Sequence, residues 1–478
     1  MKHNSTRPFG LRDKLGYMFG DFGNDFTFIL STSILMKFYT DVMGVSAGVV
    51  GTIMMLARFV DAVTDVTMGR ICDASKPTAA GKFKPWLLRM CIPVAFTSFL
   101  MYAPGFASET IAGWSNGVRI AYLAFTYILW GSFCYTGVNI PYGSMASAIS
   151  SDAGDRASLS TFRTMGGMLA GMIIGMGLPI VAYDSVVTEA GETLSVLNGS
   201  KVAITALVCS VLAIGCYLLA YKLTTERVPY KAPETQEKVS VGRMLMNALT
   251  NRALLSIIVA SILMLLAQLT MQNMGSYIYP DYYGNAAGQT LSSAVMMVSM
   301  LIASAVTKPL TNKYGKAEVS IVSSLFAAAV CVVTWILKPA NMWVYIGLQA
   351  LNWLGLGMFS MVCWALITDV IDYSELKNGV REDGSVYAMY SFARKLGQAV
   401  AAGLSGWLLE AIHYNEKALE QGVGQTQAVK DGIFNISTLV PAVGFLLLAL
   451  VLWFWYPLHK KQVDANVQAL QEKHKDMQ

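Results

Sequence analysis

The sequence predicts an all-α polytopic membrane protein, with twelve transmembrane helices in two six-helix halves. Three observations carry this. Of 478 residues, 54% are hydrophobic and only 14% are charged, against about 25% charged in a soluble domain. The apolar runs are mostly roughly 20–30 residues long, the length of bilayer-crossing helices and not of barrel strands. A polar stretch holding Pro229 and Pro233 divides those runs six and six.

In chain order, the first half is expected to cross the bilayer near 15–40, 46–70, 85–105, 117–149, 157–183 and 202–223. The second half follows near 253–283, 288–311, 317–338, 341–372, 384–412 and 432–457. The domains are accordingly 1–223 and 253–457, with a linker at 224–252 and a tail at 458–478. Met1 to Lys14 is basic and polar, and the first apolar run is too long for a signal-peptide core, so no cleavable signal peptide is expected. Lys and Arg concentrate in one alternate set of connections: the N-terminus, Arg70–Arg89, Arg156, Lys222–Arg252, Lys308–Lys316, Lys377–Arg381 and the tail. The positive-inside rule then places both termini in the cytoplasm. A faint repeat relates the halves. Gly81-Lys82 recurs as Gly315-Lys316, and Ser160-Thr161-Phe162-Arg163 recurs as Ser391-Phe392-Ala393-Arg394. Paired six-helix halves are a signature of carriers that work by alternating access.

The chemistry centres on span two, where Arg58, Asp61 and Asp65 fall at helical spacings of three and four and share one face. One charge at the bilayer centre costs roughly 2.5–3.5 kcal/mol on insertion scales. Three therefore require a protein interior or a wet cavity, and partners. Asp61 and Asp65 repel unless a cation or a proton sits with them. Span one adds Asn24 and Asp25, with Asp21 one turn earlier. Asp25 lies deeper, whereas Asp21 falls near a membrane face, where solvation alone would account for it. Span four presents Thr136 and Asn139 on one face, next to Pro141 and Tyr142; a proline there can free backbone carbonyls. Arg163 in span five and Arg394-Lys395 in span eleven either balance the carboxylates or bind an anionic substrate group. Among many membrane aromatics, two or three are expected near substrate, Tyr142 and Trp364 among them.

Asp369, Asp372 and Glu375 end span ten, and Arg381 follows. With Lys82 and Lys84 they form a charge cluster that could gate one side by ion pairs, or simply be solvated. The seven Cys lack metal-ligand spacing, and the four His lie in loops or tails. No phosphate-binding glycine loop or nucleophile–base pattern is present, so an ATP-driven pump or an enzyme is not expected.

These motifs resemble the glycoside–pentoside–hexuronide:cation symporters of the major facilitator superfamily, the family of the melibiose carrier. The likeness rests on Gly16-Tyr17, Gly20-Asp21, Phe38-Tyr39-Thr40-Asp41, Arg58 with Asp61 and Asp65, Gly81-Lys82-Phe83-Lys84-Pro85, Asn139-Ile140-Pro141-Tyr142 and Asp369-Val370-Ile371-Asp372-Tyr373-Ser374-Glu375. It implies the major facilitator fold in a bacterial inner membrane and symport of a sugar or small glycoside. The implied cation site is Asp61, Thr64, Asp65 and Thr136. The implied substrate contacts are Asn24, Asp25, Asn139, Tyr142, Arg163, Trp364, Arg394 and Lys395. The melibiose carrier has Lys at Asn24, Asn at Thr64, Asp at Asn139 and Trp at Gly143. The Thr64 departure leaves H⁺ and Na⁺ both open, and the others argue against melibiose-like galactosides. Other runs look more like the glucuronide, xyloside and sulfoquinovose carriers, pointing toward a monosaccharide derivative or small glycoside, with an anionic one favoured. The expected partners are the sugar, the coupling cation and the bilayer, for a monomer without cofactor or nucleic acid. A lipid-like facilitator, or a non-transporting sensor on the same fold, is the alternative.

Overall fold

The computed structural model describes residues 7–107, 113–187, 193–228, 251–378, 383–416, 418 and 423–476. The helices are α1 (Leu11–Lys37), α2 (Ala47–Ala74), α3 (Lys84–Tyr102), α4 (Asn116–Ile149), α5 (Ala153–Val181) and α6 (Gly199–Leu223). The second set is α7 (Arg252–Tyr277), α8 (Ala287–Tyr314), α9 (Lys316–Leu337), α10 (Met342–Asn378), α11 (Asp383–Ala411) and α12 (Gln427–Leu450). Ten helices among the described residues are long and apolar enough to cross a bilayer. The other two of the twelve, α1 and α11, are 27 and 29 residues long but richer in charge. Two features were not expected from the sequence. A hairpin pairs β1 (Tyr183–Val187) with β2 (Thr193–Leu197), and the tail forms α13 (Lys460–Asp476).

Local chemistry starts several helices. Asp152 accepts from the Asp155 amide, Asn198 from the Lys201 amide, and Asn251 from the Ala253 and Leu254 amides. Within β1, Asp184 accepts from Lys201 and Asn198. The hydrogen bond from the Lys201 ammonium, helped by Asn198, holds its carboxyl below the usual carboxylate range. Large apolar side chains such as Val63, Ile92, Phe125, Ile336 and Phe454 stand exposed, as lipid-facing surfaces require.

The chain forms two compact units. The first gathers the described parts of Met1–Glu234, Gly284–Thr290 and Leu409–Thr426. In it α1 packs on α5 and α6, α3 on α6, and α2 on α4. Its Lys37 is buried yet satisfied, with Asp41 at 2.9 Å and the Tyr414 hydroxyl at 3.0 Å. The second unit gathers Thr235–Tyr283, Leu291–Leu408 and Gln427–Gln478 as far as they are described. There α7 and α9 both pack on α12, and α9 on α10. First-on-sixth and third-on-sixth packing thus recurs as seventh-on-twelfth and ninth-on-twelfth.

The sequence repeat recurs as structure. Gly81 and Gly315 have φ of +118° and +107°, a region disfavoured for side-chain-bearing residues, and each is pressed by a carboxylate, from Glu226 and Glu318 respectively. Glu226 accepts from the Lys82, Phe83 and Lys84 amides at 2.7, 2.9 and 2.7 Å, which caps α3 with a negative charge. We expect Glu226→Ala to strand these donors and destabilise the first unit by about 1.5–3 kcal/mol. A thermal melt in detergent checks this, and an unchanged Tm would contradict it.

Most of the expected linker, 229–250, lies outside the described residues, as does Arg381 of the charge cluster. The remaining members of that cluster are placed within their own units. The Lys84 ammonium donates to the Thr224 carbonyl at 2.7 Å, and the Lys82 side chain is buried. Asp369 pairs with Lys316 at 2.6 Å. Glu375 is buried and Asp372 half-buried near the end of α10.

Candidate substrate and cation site

The site is built on α2 facing α4 within the first unit. Asp61 and Asp65 stand one turn apart on α2, and Ser132 and Thr136 stand one turn apart on α4. The Ser132 hydroxyl donates to Asp61 Oδ1 at 2.5 Å, and the Thr136 hydroxyl donates to Asp65 Oδ1 at 2.9 Å. Arg58 donates to Asp61 Oδ2 at 3.2 Å, while its guanidinium lies over the Phe28 ring. The apolar residues of α2, Phe59, Val63 and Val66, lie on another face and are exposed. Thr64 is placed differently from its expected partners. Its hydroxyl donates back to the Val60 and Asp61 carbonyls, both at 3.1 Å.

A second cluster joins α1, α4, α5 and α6. Arg163 Nε donates to Asp21 Oδ1 at 2.9 Å, and the guanidinium lies 5.3 Å from the Tyr142 ring centroid. Asp21 is therefore a paired and largely buried group, not a solvated end residue. The charge that balances Asp61 is Arg58, and the charge that Arg163 balances is Asp21. Tyr142 stacks on Tyr17 at 4.6 Å and donates to the Tyr17 carbonyl at 2.7 Å. Gly20 permits this approach, since a Cβ there would sit 2.3 Å from the Tyr142 ring.

Asn24 donates to Asn139 Oδ1 at 3.5 Å and accepts from the Tyr217 hydroxyl at 2.8 Å. Positions 24 and 139 are thus neighbours, joined here as an amide pair. Asp25 lies against Gly167, where a Cβ would come within 2.6 Å of its Oδ2. Among the described residues Asp25 makes no ion pair. A Cβ on Gly143 would meet no atom within 4 Å, so open space stands where the melibiose carrier has Trp.

In the second unit, Arg394 of α11 lies 5.7 Å from the Trp364 ring and 5.9 Å from the Tyr390 ring. An arginine over an aromatic of the preceding odd–even helix pair thus occurs in both units, as Arg163 over Tyr142 and as Arg394 over Trp364. Trp364 is 44% exposed, and Lys395 is half-buried beside Arg394 on α11. Tyr390 donates to, or accepts from, Cys363 at 2.6 Å and receives the Ser261 hydroxyl at 3.1 Å, so Cys363 is packed in a polar pocket and not exposed for chemistry.

Sequence reasoning missed Ser132, Tyr217 and the role of Asp21. Ser132 did carry a signal, since it precedes Thr136 by the same four residues that separate Asp61 from Asp65.

Carboxylates, hydroxyls and guanidinium groups held inside a bundle of membrane-crossing helices define a membrane transporter. The chain belongs to the MFS/sugar transport protein family, which residues 16–460 match, and it is of the glycoside–pentoside–hexuronide type within that family. It is not an enzyme. It is 29% identical over 471 residues to the glucuronide carrier protein homolog of Escherichia coli, covering 98% of this chain and 97% of that one. It is 27% identical over 481 residues to the putative sulfoquinovose importer of Escherichia coli, covering 99% and 97%. Its fold is similar to the crystal structure of a D-xylose-proton symporter, with a TM-score of 0.62 over 94% of this chain and 97% of that one at 13% identity.

Proposed function

We propose that the protein is a cation-coupled symporter for a small anionic sugar derivative or glycoside, working by alternating access. The observation that carries the coupling is the pair of carboxylates on α2, each met by a hydroxyl from α4. Such a face holds either a proton or a hard monovalent cation. Asp25, Asn24, Asn139 and Arg163 are the groups offered to sugar hydroxyls or an acidic substituent, with Tyr142 stacked beside them. Arg394, Trp364 and Lys395 are the corresponding offer of the second unit. Arg163 already holds one carboxylate, that of Asp21, with its side chain 42% exposed, which supports its use for an anionic substrate group. The names of the glucuronide and sulfoquinovose relatives support the same substrate class. Coupling is reciprocal: the bound cation raises sugar affinity and the sugar raises cation affinity by the same factor.

The membrane is proposed to be the bacterial inner membrane, with both termini on its cytoplasmic side. The test is uptake into vesicles with a panel of neutral and anionic glycosides under imposed proton or sodium gradients. Gradient-driven uptake of anionic members is expected. Carriage of neutral glycosides alone would remove the anionic-substrate assignment, and uptake indifferent to both gradients would remove the coupling.

A further inference from the structure

An arginine recognises an acid group by direction as much as by charge, because its planar guanidinium offers paired N–H donors along fixed edges. One edge pairs Nε with a terminal nitrogen, and another pairs the two terminal nitrogens. In the first unit the Nε edge of Arg163 is taken. Its Nε donates to Asp21 Oδ1 at 2.9 Å. One face of the group lies 5.3 Å from the centre of the Tyr142 ring, and the Tyr17 hydroxyl lies close by. No carboxylate or carbonyl among the described residues accepts from the two terminal nitrogens. The exposure agrees. The Asp21 side chain is 12% exposed and the Arg163 side chain 42%, so the anchored edge is covered and the terminal edge is left open.

Two successive glycines of α5 make the anchor possible. A Cβ on Gly166 would sit 2.5 Å from the Met18 carbonyl oxygen, and one on Gly167 would sit 3.3 Å from Asp21 Oδ2 and 2.6 Å from Asp25 Oδ2. Their small size lets α5 come close enough to α1 for Arg163 and Asp21 to meet. Asp25 stands one turn beyond Asp21, so two carboxyl groups surround one guanidinium. No excess of positive charge draws an anion here; what the place offers is an aimed pair of donors. Arg394 of the second unit gives the contrast. It lies over the Trp364 and Tyr390 rings, and no carboxylate pairs with it among the described residues. An aromatic face alone thus lodges an arginine, and the carboxylate beside Arg163 is an addition that fixes its direction.

We propose that Asp21 is a positioning residue for the substrate. By holding Nε it turns the terminal edge of Arg163 to the open side, where both terminal nitrogens bind a carboxylate or sulfonate end-on. The proposal rests on the reading of Arg163 as a substrate contact, and it adds the residue that aims it and the mode of binding. A substrate held in this way gives its acid group to Arg163 and a hydroxyl to Asp25, about one helical turn or roughly 5 Å away.

The test is equilibrium binding of radiolabelled 4-nitrophenyl β-glucuronide and of the neutral 4-nitrophenyl β-glucoside to the purified full-length protein in detergent. The ratio of the two affinities is the readout, and native protein should favour the glucuronide. Asp21→Leu should lower that preference about tenfold, the loss of one hydrogen bond to a charged group. Mere charge balancing predicts the opposite sign, since removing Asp21 would unmask a positive charge and tighten anion binding. Asp21→Asn, which keeps an acceptor for Nε, should retain the preference. Arg163→Lys keeps the charge and its partner but lacks the fork, and should also lower the preference about tenfold. That variant decides the matter if Asp21→Leu folds poorly. The inference is overturned if native protein binds both probes equally or neither, if Asp21→Leu leaves or raises the preference, or if Arg163→Lys leaves it at the native value. Parallel vesicle uptake separates this from the broader reading. An anion preference that depends on Asp21, in a protein that moves no sugar under either gradient, would keep the inference and remove the symporter. Gradient-driven uptake of neutral glycosides alone would remove the inference and keep the symporter.

Discussion

Asp65→Asn is expected to abolish uphill sugar accumulation while leaving sugar exchange across the membrane measurable. Asp65 is hydrogen-bonded by Thr136 at 2.9 Å, and Asp61 is already matched by Arg58 at 3.2 Å. Removing the Asp65 charge leaves Arg58 and Asp61 neutral as a pair, with no net charge to attract a proton or a cation. A carrier without a bound ion can still reorient with sugar, but it has nothing to draw the sugar against its gradient. By linkage, sugar affinity should also stop responding to the cation, because the coupling free energy acts equally in both directions. Vesicle uptake under an imposed gradient, with exchange measured in parallel, reads both effects. Unaltered accumulation in this variant would take Asp65 out of the cation site.

The second large effect is on folding. Asp13→Ala is expected to destabilise the first unit by about 3–5 kcal/mol, the cost of removing one partner from a buried ion pair. Asp13 is fully buried at the start of α1. Its Oδ1 meets Arg7 at 2.7 Å and the Thr225 amide at 3.1 Å; its Oδ2 meets Arg227 at 2.9 Å and the Gly10 amide at 3.2 Å. Truncation strands two guanidinium groups and two amides and frees the segment that follows α6. A lower Tm in detergent and a lower yield from membranes are expected. A native Tm would show that water replaces the carboxylate at little cost, and that Thr225–Arg227 is held chiefly by Glu226.

The two effects illustrate different degrees of legibility. Asp65 could be picked out from the chain alone, because an ionisable residue in an apolar run is costly wherever that run packs. Asp13 could not. It reads as one more charge in a polar N-terminal stretch, and its partners Thr225 and Arg227 lie more than two hundred residues away. The same holds for Asp21, which reads as a solvated end residue until Arg163, 142 residues on, is brought beside it. Asp369 is a further case: its charge is visible in the chain, but only the fold sets Lys316 against it.

What the sequence by itself determined is what depends on local geometry and on the solvent. The membrane spans follow from the length of apolar runs. The shared face of Arg58, Asp61 and Asp65 follows from helical periodicity. The two-repeat plan was visible in Gly81-Lys82 and Gly315-Lys316, and it returned as matching positive-φ turns. Tertiary structure alone decided the partners. Ser132 rather than Thr64 faces Asp61, Asn24 faces Asn139, and Glu226 fills the turn at Gly81. Each depends on which helix packs on which, and in what register. A hydrogen bond requires two atoms placed within about 3 Å of each other, and no periodicity along one helix specifies the register of another packed against it.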